Sequence, residues 1–154
     1  VWVIANEDAD QAILNVADDI LAYNEGGYVV SFNGNDARGL EKTSDGGQTW
    51  TLIDVIGVPT EDPGNGLGWS VAGEENATVN HTLVRKNSVI TGNTDWTSSA
   101  GTNTDDSEWI VYPQDTFEYL GSHGGGAAGN VEYPAEPVPA NEPATITFTS
   151  QDSL

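Results

Sequence analysis

The sequence predicts a mostly β protein, an all-β sandwich with one short helix near its N-terminus and an extended C-terminal tail. Short β-prone segments recur along the chain, and clusters of Gly, Asn, Asp and Pro separate them. Only one segment repeats its apolar residues at helical spacing. After His123 the composition becomes Gly-rich and then Pro-rich, which marks the end of the predicted sandwich.

Six segments have the composition of strands, and they are predicted at 1–5, 28–32, 37–42, 49–56, 82–86 and 107–112. Asn33-Gly34-Asn35-Asp36 follows the second of them. Asn-Gly is the strongest short hairpin signal, because both residues tolerate a positive φ. The region 87–106 has few hydrophobic residues, and we expect an ordered loop there that Trp96 holds in place.

One helix is predicted, over residues 9–17. Asp8 is the expected N-cap, and Gln11 is its capping-box partner. The apolar positions that recur at helical spacing are Ala9, Ala12, Ile13, Val16, Ala17 and Ile20.

Three parts are predicted along the chain. Residues 1–123 form the sandwich, and residues 124–143 form a Gly/Pro-rich linker. Residues 144–154 contain the alternating run Ala-Thr-Ile-Thr-Phe-Thr, a strand pattern with Ile146 and Phe148 on one face. This strand is expected to begin a further domain, to return to the sandwich, or to be donated to a neighbouring subunit in a homo-oligomer.

The charge is strongly one-sided, with 24 Asp and Glu against 4 Lys and Arg and a net charge of −20. Such a surface repels phosphate backbones and anionic lipids, which argues against partners of either kind. No apolar run is long enough for membrane insertion, and the absence of cysteine excludes disulfides and thiolate metal sites. The composition is typical of an extracellular bacterial protein. The four cations, each expected in an ion pair, are Arg38, Lys42, Arg85 and Lys86.

The segment from Thr43 to Trp50 resembles an Asp-box, a short hairpin motif. We expect Asp45 to cap backbone N–H groups of a tight turn, and Trp50 to pack under the hairpin and anchor the core. Trp109 and Phe117 are predicted as further core anchors, while Trp96 anchors the long loop.

Carboxylates cluster at several places in the sequence. The best candidate calcium ligands are Asp105, Asp106 and Glu108, where a loop meets a strand. Their spacing differs from that of an EF-hand, and solvated surface charge is the competing interpretation. Calcium is the one cofactor that the sequence indicates, and its expected effect is on stability.

No catalytic residue is predicted. The histidines, His81 and His123, lie far apart in the sequence and lack the H-E-x-x-H or H-x-H context of a zinc hydrolase. The G-x-S-x-G elbow of serine hydrolases is also missing. We therefore expect a protein that is not an enzyme.

Several segments together resemble the bacterial lamin-tail domain. They are VWVIAN at 1–6, FNGNDARGL at 32–40, DVIG at 54–57, GWSVAG at 68–73, HTLVRK at 81–86, TGNTDW at 91–96 and SEWIVYPQDTFEYLGSH at 107–123. The resemblance implies an immunoglobulin-like β-sandwich that serves as a non-catalytic module of secreted or surface-attached bacterial proteins. Some of these proteins carry an endonuclease/exonuclease/phosphatase domain further along the chain.

Lamin-tail domains typically begin with two or more strands upstream of the segment that resembles VWVIAN. The sandwich is therefore expected to be incomplete at its N-terminus. Strands from outside residues 1–123 are expected to complete it.

Together these features predict a non-catalytic extracellular structural, adhesion or assembly module of a larger bacterial secreted or surface protein. Its expected partners are other domains of the same polypeptide or neighbouring subunits. One alternative is an accessory domain of a secreted nuclease or phosphoesterase. The other is a calcium-stabilised surface-layer or filament subunit.

Overall fold

The structure, a computed structural model, describes residues 1–123 and the backbone of residues 147–150. Short strands dominate, so the β-rich fold is confirmed. In chain order the elements are β1 (Ile4–Asn6), α1 (Gln11–Leu14), β2 (Asp19–Leu21), 3₁₀ helices at Tyr23–Glu25 and Gly27–Val30, β3 (Arg38–Lys42), β4 (Thr51–Ile56), β5 (His81–Arg85), α2 (Trp96–Ala100), β6 (Trp109–Pro113) and β7 (Thr147–Ser150). None of the helices in these residues has the length and apolar content of a membrane span.

The described strands form three small, open sheets. β1 and β2 pair in parallel, and β5 and β6 form an antiparallel pair. The third sheet has the order β4-β3-β7, and both of its pairings are antiparallel. The predicted linker at 124–143, the first residues of the strand predicted at 144–149 and the side chain of Phe148 lie outside what the structure describes.

A β-bulge in β4 places the side chains of Leu52 and Val55 on the same side of the strand, in the core. Leu40 lies opposite Asp54 and Glu41 lies opposite Leu52, which leaves Ile53 as the extra residue. The extra residue reverses the alternation of side chains along the strand. Leu52 and Val55 therefore both pack in the core, although regular pleating would place them on opposite faces.

The core lies between β4, the β5–β6 pair and α2. Its buried members are Val55, Val71, Ala77, Trp96, Ala100 and Trp109. The ring centroids of Trp96 and Trp109 are 6.3 Å apart, with the rings tilted by 58°. These two indole rings are the largest side chains among the buried members, which are otherwise Val and Ala.

Four predicted strands coincide closely with observed ones, but the strand predicted at 28–32 is wrong. Gly27–Val30 instead forms a 3₁₀ helix. Gly26 before it has a φ of 100°, and a Cβ on Gly27 would come within 2.6 Å of the carbonyl oxygens of Leu21 and Ala22. The chain therefore folds back tightly on itself at a point where a strand would have to run straight.

The hairpin predicted at Asn33-Gly34 is also wrong, because β3 pairs with β4 and not with the preceding segment. Gly34 has a φ of 97° and sits against the backbone of Thr78. The Thr78 hydroxyl donates to the Gly34 carbonyl at 2.6 Å and accepts from the N–H of Trp69 at 2.9 Å. Gly34 therefore allows close contact with a segment that is distant in the sequence, and it does not form a hairpin turn.

The helix predicted over 9–17 is shorter and has a different cap. α1 is a single turn whose N-cap is Asp10, which accepts from the N–H of Ala12 at 2.8 Å. Gln11 donates to the Asn15 side chain and so makes no capping box with Asp8. Ile20, expected on the helix face, lies in β2. Pairing of β2 with β1 outweighs the weak stability of a short isolated helix.

The region predicted as a loop at 87–106 contains α2. Asp95 is its N-cap and accepts from the N–H of Ser98. Trp96, its first residue, is buried in the core. The indole therefore anchors this region from within a helix.

Candidate functional site

The densest group of polar side chains connects β4, β5, β6 and α2. We call it the Arg85 network, and its members are Asp54, Arg85, Asn93, Ser99, Glu108 and Trp109. It mixes a hydroxyl, carboxylates and a cation, which are the groups that hydrolytic sites use. Its geometry therefore decides whether the chain has a catalytic centre here.

Arg85 lies at the centre of the network with its side chain only 13% exposed. It donates to Asp54 at 2.9 Å and to Glu108 at 3.2 Å. Its guanidinium carbon lies 4.1 Å from the centroid of the Trp109 ring, a cation–π contact. One cation therefore balances two carboxylates and covers an aromatic face.

Ser99 is fully buried, and both roles of its hydroxyl are used. The hydroxyl donates to Glu108 at 2.7 Å and accepts from the Trp109 indole N–H at 2.9 Å. The other oxygen of Glu108 accepts from the Asn93 side chain at 2.9 Å. A hydroxyl with no exposed surface and two internal partners is held as a structural group, not as a free nucleophile.

Asp54 joins β4 to the loop before α2. Its Oδ1 accepts from Arg85 and from the backbone N–H groups of Val55 and Asn93, the latter two at 3.0 Å each. In the described residues, every buried side-chain nitrogen and oxygen has a hydrogen-bond partner. The Arg85 network thus holds separate elements together with its polar groups satisfied.

The candidate calcium ligands are not brought together. Asp106 accepts hydrogen bonds from Thr102 and Asn103, and these bonds, first that of the Thr102 hydroxyl, lower its pKa. Glu108 belongs to the Arg85 network, and Asp105 is exposed. Nowhere in residues 1–123 do three or more His, Asp or Glu side chains form a group that could hold a metal ion. Calcium binding stays a prediction.

His81 starts β5, at the opposite end of the strand from Arg85. Its Nδ1 lies 2.8 Å from the carbonyl oxygen of Val79 and donates to it. His123 lies at the end of the continuously described chain. The ion pairs among the described residues involve Arg38 and Arg85, whereas Lys86 donates to the Thr104 carbonyl.

The Asp-box forms the turn between β3 and β4. Asp45 accepts from the N–H groups of Gln48 and Thr49 at 3.0 and 2.9 Å, and from the Thr49 hydroxyl at 2.6 Å. These bonds, led by those from Thr49 and joined by the Thr43 hydroxyl, lower the pKa of Asp45 to about 2. Trp50 is half-buried outside the core, and so is Phe117.

Replacing Asp45 by Asn is expected to lower the melting temperature at pH 7, with a difference that disappears in acid. The folded pKa is depressed, so the stabilisation is present above the ordinary carboxyl pKa of 3.8 and is lost as the pH falls through about 2. Melting curves of wild type and Asp45→Asn between pH 7 and pH 2 measure this. The matched control is Asp105→Asn, which makes the same change at an exposed loop residue outside the Asp-box.

A cleft of about 760 Å³ opens between the two 3₁₀ helices, the segment before β3 and the loop after β4. Tyr23, Tyr28 and Phe32 are among the residues that line it, and Asn, Asp and Glu residues supply much of the remaining lining. No direct sign of this site is visible in the sequence, because Tyr28 to Phe32 has the composition of a strand. The aromatic spacing would have indicated a site only if the fold-back at Gly26-Gly27 had been recognised.

Comparison of the chain with protein-family models, with curated proteins and with solved structures gives no match. The residues themselves define a small β-rich unit with an internally satisfied polar network and an open aromatic cleft. Functional conclusions therefore depend on this geometry.

Proposed function

We propose that the chain is a non-catalytic extracellular structural, adhesion or assembly module of a larger bacterial secreted or surface protein. The observation that carries this proposal is the Arg85 network. Its hydroxyl and carboxylates have internal partners, and they connect three strands and a helix. Groups used in this way stabilise a fold, whereas a hydrolytic site needs a nucleophile that substrate can reach.

The proposal includes an immunoglobulin-like sandwich of the lamin-tail type. The shared core supports it, since Leu52 and Val55 of β4 pack with Leu83 of β5 and with Trp109 of β6. Two sheets that face each other across such a core are the basic arrangement of a sandwich.

The intact chain is expected to show no hydrolysis of DNA, phosphoester or glycan substrates, because the hydroxyl of the Arg85 network is buried and both of its hydrogen-bonding roles have internal partners. Turnover assays on these three substrate classes measure this, with His81→Ala and His123→Ala as variants that separate intrinsic activity from contamination. Activity that purifies with the chain and disappears in either variant would show that the proposed function is wrong.

A second candidate function is assembly by strand exchange, and the position of β7 favours it. β7 pairs with the edge of β3, with Gly39 opposite Thr149 and Leu40 opposite Phe148. Residues 124–146 separate β7 from the rest of the described chain. An extended segment of that length spans roughly 70 Å, enough for β7 to reach the same edge of a neighbouring copy.

Deletion of residues 144–154 is expected to lower the melting temperature and to abolish any oligomer, because the β3 edge loses its hydrogen-bonded partner. Deletion of 151–154 alone is the control, since it leaves β7 in place. Melting curves and light scattering at several protein concentrations give both readouts. Unchanged values in the longer deletion would exclude a role for β7, and a melting temperature that rises with concentration would indicate exchange between copies.

A further inference from the structure

We propose that the cleft between the 3₁₀ helices and the β4 loop binds a neutral carbohydrate. This inference deepens the adhesion role within the proposed function and rests on that role. Three observations support it: the size of the cleft, the hydrogen bonds that its lining side chains make or lack, and its charge. The volume of about 760 Å³ falls within the range of small-molecule sites.

One set of side chains builds the wall of the cleft. Arg38 is stacked 4.5 Å from the centroid of the Phe32 ring, and it donates to Asp36 and to the carbonyls of Val29 and Ala37. Asn35 donates to the carbonyl of Gly64, which ties the segment before β3 to the loop after β4. These contacts fix the shape of the cleft before any ligand enters.

A second set of side chains faces the cleft without an internal partner in the part of the chain that the structure describes. Tyr23 and Tyr28 are 62% and 46% exposed, and both lie in the lining of this one cleft. Asn24, Ser31 and Glu61 add an amide, a hydroxyl and a carboxylate that make no hydrogen bond within the described residues. Exposed rings beside free polar groups form a surface that offers both stacking and hydrogen bonds.

The charge of the cleft excludes anionic ligands. Among the described residues of its lining Arg38 is the one cation, and its guanidinium stacks on Phe32, pairs with Asp36 and donates to two backbone carbonyls. Glu61 and Asp62 leave the cleft negative. A phosphate or an acidic sugar would therefore meet repulsion from these carboxylates and a cation whose charge Asp36 already balances.

A neutral sugar offers hydrogen-bond donors and acceptors as well as apolar C–H faces. Its C–H faces pack on tyrosine rings, and its hydroxyls donate to Glu61 and exchange hydrogen bonds with Asn24 and Ser31. A cationic ligand fits less well, because an ammonium or guanidinium group only donates hydrogen bonds and leaves the N–H groups of Asn24 without an acceptor. The combination of free rings, one free amide and one free carboxylate thus favours a polyhydroxylated ligand.

Calorimetric titration of the intact chain with neutral oligosaccharides of glucose, mannose, galactose and xylose tests the proposal, with hexalysine as the cationic probe. We expect at least one oligosaccharide to bind. Tyr23→Ala and Tyr28→Ala are each expected to weaken that binding by about tenfold or more, since each removes a stacking ring. Tyr23→Phe is expected to retain it. Trp2→Ala is the matched control, because Trp2 is an exposed aromatic residue outside the cleft.

Three results would overturn the proposal. They are binding of hexalysine in preference to every saccharide, saccharide binding that the tyrosine variants leave unchanged, and the absence of saccharide binding at millimolar concentration. Glu61→Gln distinguishes a sugar from a cation, since glutamine keeps the hydrogen-bonding capacity of the side chain and removes its charge. A sugar tolerates that change, whereas a cation loses its attraction. Mass analysis of the saccharide after incubation separates the two proposals, because cleavage would contradict the non-catalytic function and leave the cleft assignment intact.

Discussion

Trp109→Ala is expected to lower the free energy of unfolding by about 3–5 kcal/mol, the range for truncating a buried aromatic side chain in a core. Trp109 is 8% exposed and packs against Trp96 in the core. Its loss also removes the ring on which Arg85 stacks and the indole N–H that Ser99 accepts. Urea denaturation followed by far-ultraviolet circular dichroism measures the change.

Trp2→Ala separates this effect from the general cost of removing a large ring. Trp2 is 60% exposed and donates only to the exposed carboxylate of Asp19. Its truncation is expected to cost less than about 1 kcal/mol, as for other surface substitutions. A Trp109→Ala midpoint no lower than that of Trp2→Ala would contradict the assignment of Trp109 to the core.

Local sequence patterns were sufficient to predict strand β4 and the turn that connects it to β3. Residues 51–56 are β-prone, and Gly57 ends the strand. The Asp-box is equally local, because Asp45 finds its hydrogen-bond partners within four residues. Both features depend on residues that are close in the sequence, so they can be predicted without knowledge of the fold.

Features that depend on distant contacts could not be predicted. Arg85 was expected in an ion pair, but its partner Asp54 is 31 residues away along the chain. The bulge that aims Leu52 and Val55 into one core follows from the pairing of β4 with β3. The cleft likewise requires the fold-back at Gly26, which places two tyrosines on one surface.

Arg85→Leu is the second substitution with a large expected effect. It removes the cation that pairs with both Asp54 and Glu108, and it leaves these two carboxylates without their shared counter-charge. Because both carboxylates are partly exposed, we expect a loss of about 2–3 kcal/mol, below the range for fully buried pairs. The midpoint of urea denaturation reports this loss.

The neighbouring cation provides the matched control. The Lys86 ammonium donates to the Thr104 carbonyl at an exposed site, so Lys86→Leu is expected to change the stability little. Arg85→Lys should fall between the two, because an ammonium keeps the charge but cannot reach both carboxylates and stack on Trp109 at once.

If Arg85 holds the network together, Glu108→Gln should cost much less in the Arg85→Leu background than in wild type. Additive effects of these two substitutions would show instead that the side chains act independently.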